Sequence, residues 1–254
     1  MANDADAALG RALALVRDLR ARCPWDMAQT PESLRPYLVE EALELDHAIG
    51  AGDVPQIQAE LGDLLLNLAF QIVIAEERGW FGAENVTRGL EEKMWRRHPH
   101  LFGLGEKPKT WEAKKREEGG GRSTLSGLPP TLPRLLMAYR LQERAAGVGF
   151  DWPDAKGPAE KVREELGEVE RETGRGKRET LEAEVGDLLF AVVNLARKLK
   201  VDPRAALERA NAKFKTRFEG VERLAQERGI DLAQAGLEVL DRLWDEVKAQ
   251  GQSL

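Results

Sequence analysis

Residues 40–44, Glu40-Glu41-Ala42-Leu43-Glu44, and residues 60–65, Glu60-Leu61-Gly62-Asp63-Leu64-Leu65, return later as Glu164-Glu165-Leu166-Gly167-Glu168 and Glu184-Val185-Gly186-Asp187-Leu188-Leu189. Every acid in the second set lies 124 positions beyond its counterpart, as 164 does beyond 40 and 187 beyond 63. Acids fill 44 of 254 positions. Five prespecified acids would match by chance about once in 10⁴ trials, so the chain is internally duplicated. The same chemistry is written twice.

On a helix, residues three apart share a face, with Cβ atoms roughly 5–6 Å apart. Each repeat therefore offers carboxylates on two helices, E-E-x-x-E on the first and E-x-x-D on the second. A common core must bring those helices together. Ile57, Leu61, Leu64, Leu65, Leu68 and Ile72 form the expected apolar stripe of the first repeat, flanked by Glu60, Asp63 and Asn67. Val185, Leu188, Leu189, Val192, Leu195 and Leu199 form that of the second, flanked by Glu184, Asp187 and Asn194.

Two like charges 4 Å apart repel by about 4 kcal/mol at an effective dielectric near 20. Four facing carboxylates would exceed the net stability a domain can spare, so the pattern calls for a cation or for protonation. All-oxygen ligands favour Mg²⁺ or Mn²⁺ over Zn²⁺. One isolated Glu-x-x-Glu would read as a solvated helix face; the duplication argues for the metal. A di-iron site is excluded, since it needs Glu-x-x-His on two helices. Glu44-x-x-His47 supplies one, but the counterpart of His47 is Arg171.

The length suits two domains, and the formal charge of −6 argues against a general nucleic-acid surface. The apolar stretch 64–75 is interrupted by Asn67 and Gln71 and is too short to span a bilayer. No signal peptide is expected at the N-terminus. The single cysteine, Cys23, excludes an intrachain disulfide framework and fits a reducing cytoplasm. It reads as a small buried or turn residue, not a nucleophile.

Taken in order, the chain predicts an all-α fold, two tandem helical bundles without a substantial sheet. Helices are expected over 5–22, from Thr30-Pro31 to Gly50-Ala51-Gly52, through Glu60 to about Arg78, and from Ala83 to His98. Cys23-Pro24-Trp25-Asp26 reads as a turn, and a short segment with Trp111 closes the first half. Domains are expected at 1–118 and 134–254, joined by a Gly/Ser/Pro-rich linker at 119–133. The second half repeats the order: a helix over 135–146, a turn containing Phe150-Asp151-Trp152, the two acidic helices, a helix opened by Asp202-Pro203, and a last one over 237–248.

Lys93 and Arg97 are four apart, as are Lys213 and Arg217, and each pair follows its acidic helices. Either pair alone reads equally well as a solvated face; recurrence favours a polyphosphate. Trp111 and Trp244, each near a lysine, could stack on a base, and a core or interface role reads equally well. Lys161 lies three residues before Glu164, within reach of a phosphate, whereas its counterpart Tyr37 brings no cation.

CPWD at 23–26, the paired acidic motifs, the GDLL runs, RRHPHLFG at 96–103, VGFDW at 148–152 and NLARKL at 194–199 together resemble the long, tandem form of the MazG nucleoside triphosphate pyrophosphohydrolases. The resemblance covers nearly the whole chain. It implies Mg²⁺-dependent hydrolysis of nucleoside triphosphates to monophosphate and pyrophosphate; the contrast of Lys161 with Tyr37 places the turnover mainly in the second repeat. Metal ligands are then Glu165, Glu168, Glu184 and Asp187, with Glu41, Glu44, Glu60 and Asp63 in the first copy. Lys161, Lys213, Arg217 and Trp244 match nucleotide-contacting positions, and Glu164 is assigned as a base or an outer ligand. A homodimer is implied as well. The alternative is a regulatory helical module that binds nucleotide or a protein partner without turnover. Intact acid quartets argue against it, since unused they are an electrostatic cost, although the first repeat stays open to that role.

Overall fold

The computed structural model describes residues 3–105, 123–174 and 177–251; the Trp111 segment and residues 119–122 of the expected linker lie outside these. Among the described residues every regular element is helical. The chain divides into two compact units, Met1–Lys109 and Thr110–Leu254.

In the first unit, α1 (Asn3–Arg22), α3 (Pro31–Ala51) and α4 (Val54–Glu77) form the bundle, with α4 packed against both others. Their limits follow local chemistry. Thr30 caps α3 through a reciprocal capping box with Ser33, and Pro31 takes the first turn, where its missing N–H costs nothing. Gly52 ends α3 at φ +71°, a left-handed geometry that disfavours a Cβ. Asp53 caps α4 by accepting from the Gln56 amide at 3.1 Å. The C-P-W-D turn is a one-turn helix, α2 (Pro24–Met27), because Pro24 opens it as readily as it ends α1. The buried Arg20 guanidinium ties this corner together, donating to Glu77 on α4 and to the carbonyls of Asp26 and Gln29. A further helix, α5 (Ala83–Arg97), leads into a 3₁₀ turn at Pro99–Leu101.

In the second unit, α8 (Arg178–Lys198) packs against α6 (Arg134–Ala146) and α7 (Lys156–Glu172), while α9 (Pro203–Glu227) pairs with α10 (Leu237–Gly251). Asp202 caps α9 and Pro203 occupies its first position. Arg144, 124 positions beyond Arg20 and equally buried, donates to the Ser126 carbonyl at 2.5 Å. That bond holds part of the 123–133 stretch against the second unit.

The core differs from the expected stripes. The first unit buries Val16, Leu34, Phe70, Val73 and Ile74. Leu61 and Leu68 are about half exposed, at 51% and 46%, while Glu60 and Asn67 are buried. The second unit repeats the inversion: Leu189 and Val192 are exposed, Glu165 and Asn194 buried. Packing α3 on α4, and α7 on α8, turns the acidic faces toward one another and leaves much of the leucine stripe uncovered. By length and composition α4 could cross a membrane. It packs against both α1 and α3, and its Glu60 is turned inward.

Candidate active site

Both repeats assemble an acidic triad. In the first unit, Glu41 from α3 and Glu60 and Asp63 from α4 each place a ligand oxygen within 4.8 Å of the others. In the second, Glu165 from α7 and Glu184 and Asp187 from α8 do the same. The helical spacing sets each pair on one face, and the α3–α4 and α7–α8 contacts supply the third acid.

The fourth expected ligand of each set stands at the edge. The charge of Glu60 pushes the Glu44 carboxyl above the usual range. Loss of hydration, then the charges of Asp63, Glu44 and Glu60, raises Glu41. Loss of hydration, with Glu168, Asp187 and Glu165 nearby, raises Glu184. The Glu168 carboxylate is itself held by Arg171 at 2.8 Å.

The sites differ in what balances their charge. In the second, the Lys161 ammonium donates to Glu165 at 2.5 Å and to Glu164 at 2.9 Å, which raises the lysine pKa. In the first, Tyr37 holds the lysine position, and Glu60 Oε1 accepts from the neutral Gln56 side-chain amide. Its Oε2 is buried without a protein partner. A buried, unpartnered carboxylate oxygen facing two further carboxylates fits a hard divalent cation. The all-oxygen donor sets of both triads suit Mg²⁺ or Mn²⁺.

The second triad opens into a cleft of about 440 Å³ whose lining includes Lys161, Glu165 and Asp187 together with Phe150, Trp152 and Phe190. The Phe150-Asp151-Trp152 turn supplies two of the lining rings, Phe150 and Trp152. Asp151 fixes it: Arg197 donates to both carboxylate oxygens at 2.5 and 3.2 Å, and Lys198 adds a third bond at 3.2 Å. Arg197, then Lys198, holds the Asp151 carboxyl below the usual range. Gln142, from α6, also lines the cleft. No sequence signal pointed to Gln142, and the Phe150-Asp151-Trp152 stretch was marked as a turn and a motif but not as part of a cleft.

The remaining expected nucleotide contacts lie elsewhere. Lys213 is exposed on α9. The Arg217 guanidinium sits 5.9 Å from the Trp244 ring centre, and the Phe214 ring lies 5.3 Å from it. Trp244 packs on the α9–α10 core. Lys93 and Arg97 are half-buried on α5. The structure thus gathers Lys161 with the acids but leaves Lys213, Arg217 and Trp244 on a separate helix pair.

The description "MazG nucleotide pyrophosphohydrolase domain" matches the chain twice, over residues 29–102 and 158–221, enclosing both acidic triads. The chain belongs to the MazG family. A Thermotoga maritima protein named nucleoside triphosphate pyrophosphohydrolase/pyrophosphatase MazG is 46% identical over 89% of this chain and 89% of its own length. The Escherichia coli nucleoside triphosphate pyrophosphohydrolase is 39% identical over 92% of this chain and 94% of its own. The uncharacterized protein YabN of Bacillus subtilis is 43% identical over 92% of this chain but only 50% of its own length. The two family matches coincide with the 124-residue repetition, so each copy is a MazG domain with its own acid set.

Proposed function

We propose that this chain hydrolyses nucleoside triphosphates to nucleoside monophosphate and pyrophosphate, with Mg²⁺ as cofactor and Mn²⁺ as substitute, and that the second domain carries most of the turnover. The observation carrying this reading is a three-carboxylate cluster opening into an aromatic-walled cleft, within a family match. Glu165, Glu184 and Asp187 would hold the cation, with Glu168 completing the set; Glu41, Glu60, Asp63 and Glu44 are their counterparts. Bound there, Mg²⁺ would neutralise the triphosphate and stabilise charge developing at phosphorus.

The protein's own groups supply the rest. Lys161, shared by Glu164 and Glu165, would turn toward phosphate oxygens were Glu165 to hold a cation. Glu164, exposed at the rim, is assigned to take the proton of the attacking water. Cleavage of the α–β anhydride bond then releases pyrophosphate. The cations Lys213 and Arg217 and the Trp244 ring, which do not line the second cleft, would reach nucleotide there through a rearrangement or a second copy of the chain; Lys93 and Arg97 are assigned to nucleotide in the first domain.

A homodimer is part of the proposal. The half-exposed Leu61, Leu68, Leu189 and Val192 form apolar stripes that solvent would not favour, and a second copy would cover them. The domain limits 1–118 and 134–254, absence of nucleic-acid binding and of membrane insertion, and a cytoplasmic location complete it; the charge of −6 supports the absence of nucleic-acid binding, and the free Cys23 thiol the location.

Incubation of the full chain with nucleoside triphosphates, reading pyrophosphate against orthophosphate with Mg²⁺ and with EDTA, tests the reaction. Pyrophosphate released only with metal is the expected result. A diphosphate plus orthophosphate would overturn it, and full activity in EDTA would remove the metal.

A further inference from the structure

The two acid clusters differ in what already holds them. In the second, the Lys161 ammonium lies 2.5 Å from Oε1 of the buried Glu165 and 2.9 Å from Oε1 of Glu164. Glu165 is also one of the three acids whose oxygens lie within 4.8 Å of one another. An ion pair within one helix thus ends inside the cluster that would take a cation. In the first, the lysine position is Tyr37, and Glu60 Oε1 accepts from the Gln56 amide, a donor without charge. The charges that act on Glu41 there are those of Asp63, Glu44, Glu60 and Glu40, all of them acids.

We propose that Lys161 closes the second cluster to a divalent cation until a phosphate chain draws its ammonium away, so that the second domain takes cation and nucleotide together while the first binds a cation with no nucleotide present. The inference rests on the nucleoside triphosphate reading. An ammonium bonded to a carboxylate stays within roughly 6 Å of any cation that this carboxylate holds, and at an effective dielectric near 20 their repulsion exceeds about tenfold in affinity. A phosphate chain offers the ammonium other anionic oxygens, which leaves Glu165, Glu184 and Asp187 to the cation. Each ligand then favours the other by the same factor, as linkage requires. In the first cluster a cation meets acids and the neutral Gln56 amide, and needs no such release.

Mn²⁺ titration of the full-length, nucleotide-free protein, with free ion read by electron paramagnetic resonance, tests this. Two classes of site are expected: a tighter one lost in Glu41→Gln, and one weaker by at least about tenfold that is lost in Glu184→Gln. Lys161→Gln, which copies the neutral Gln56–Glu60 arrangement, should tighten the weaker class by about tenfold and leave the other unchanged. Tyr37→Lys should weaken the tighter class by a similar factor. Tyr37 is 45% exposed, so this variant carries the test if Lys161→Gln does not fold. Equilibrium dialysis of the α,β-methylene analogue of ATP, which α–β cleavage cannot consume, reads the coupling. Mn²⁺ in place of EDTA should raise its affinity about tenfold less in Lys161→Gln than in the wild type. Classes of equal strength in the wild type, classes unmoved by either variant, or equal coupling overturns the assignment. Orthophosphate release, or no cleavage of ATP by the wild type, would instead overturn the reaction itself, with the Mn²⁺ classes still deciding the role of Lys161.

Discussion

Gly157→Ala tests the aromatic wall, because two opposite effects meet there. Gly157 lies in the first turn of α7, and a Cβ built on it would fall 2.1 Å from Trp152 Cδ1 and 2.5 Å from Nε1. Ordinary contact begins near 3.4 Å, so the ring must move by about 1.3 Å. The turn cannot simply retreat, since Lys198 donates to the Trp152 carbonyl at 2.5 Å and Arg197 grips Asp151. The ring must therefore rotate into the cleft. Alanine in a helix gains about 0.5–1 kcal/mol over glycine, whereas forced overpacking costs about 1–3 kcal/mol. The clash wins by about 1–2 kcal/mol, a fall in melting temperature of roughly 3–6 °C. Gly89→Ala on α5, where nothing lies within 4 Å, is the control and should raise it slightly. The displaced ring should also raise the KM for ATP by about tenfold. A Gly157→Ala protein that melts with the Gly89→Ala control and keeps its KM would refute the placement of Trp152.

Replacing Glu168 by Ala should remove nearly all pyrophosphate release, while Glu44→Ala leaves a large part; equal losses would mean that both domains share the work. The raised carboxyls of Glu41, Glu44 and Glu184 bind protons more tightly in the folded chain than in the unfolded one. The stability they contribute is present below the unfolded carboxylate pKa and is lost as pH rises through the raised values, so the clusters weigh on the fold at neutral pH. Added Mg²⁺ should therefore raise the melting temperature most near about pH 7–8 and progressively less toward about pH 5, as protons compete for the ligands. A magnesium effect independent of pH would place the ion elsewhere. Limited proteolysis should cut within 119–133 and leave two helical fragments; resistance there with cutting inside α3 or α8 would refute the linker. Lys200 follows α8 at φ +59°, so Lys200→Gly should stabilise by about 0.5–1 kcal/mol in urea denaturation, and destabilisation would contradict that backbone.

The helix limits were legible in the chain because their causes are local. Thr30-Pro31, Gly52 and Asp202-Pro203 act on their own backbone within a turn and need no partner. The acid clusters were legible because the duplication repeats identity and spacing together, which few structural requirements would do twice. Periodicity identified an apolar side of α4 and α8 but not what covers it. The α3–α4 and α7–α8 contacts turned Glu60, Asn67, Glu165 and Asn194 inward and left Leu61, Leu68 and Leu189 outward. Only packing chooses between those faces. Lys161 could be placed beside the acids because it shares their helix, whereas the remoteness of Trp244 from that cleft depends on how α10 docks on α9. Gln142 had no sequence mark, and the Phe150–Trp152 stretch was marked as a turn and a motif but not as a wall of the cleft. Their chemistry depends on the Phe190 carbonyl, 48 positions away along the chain, and on Arg197 reaching back to Asp151. Contacts between distant segments are decided by the tertiary fold, since no local propensity encodes which side chains will meet.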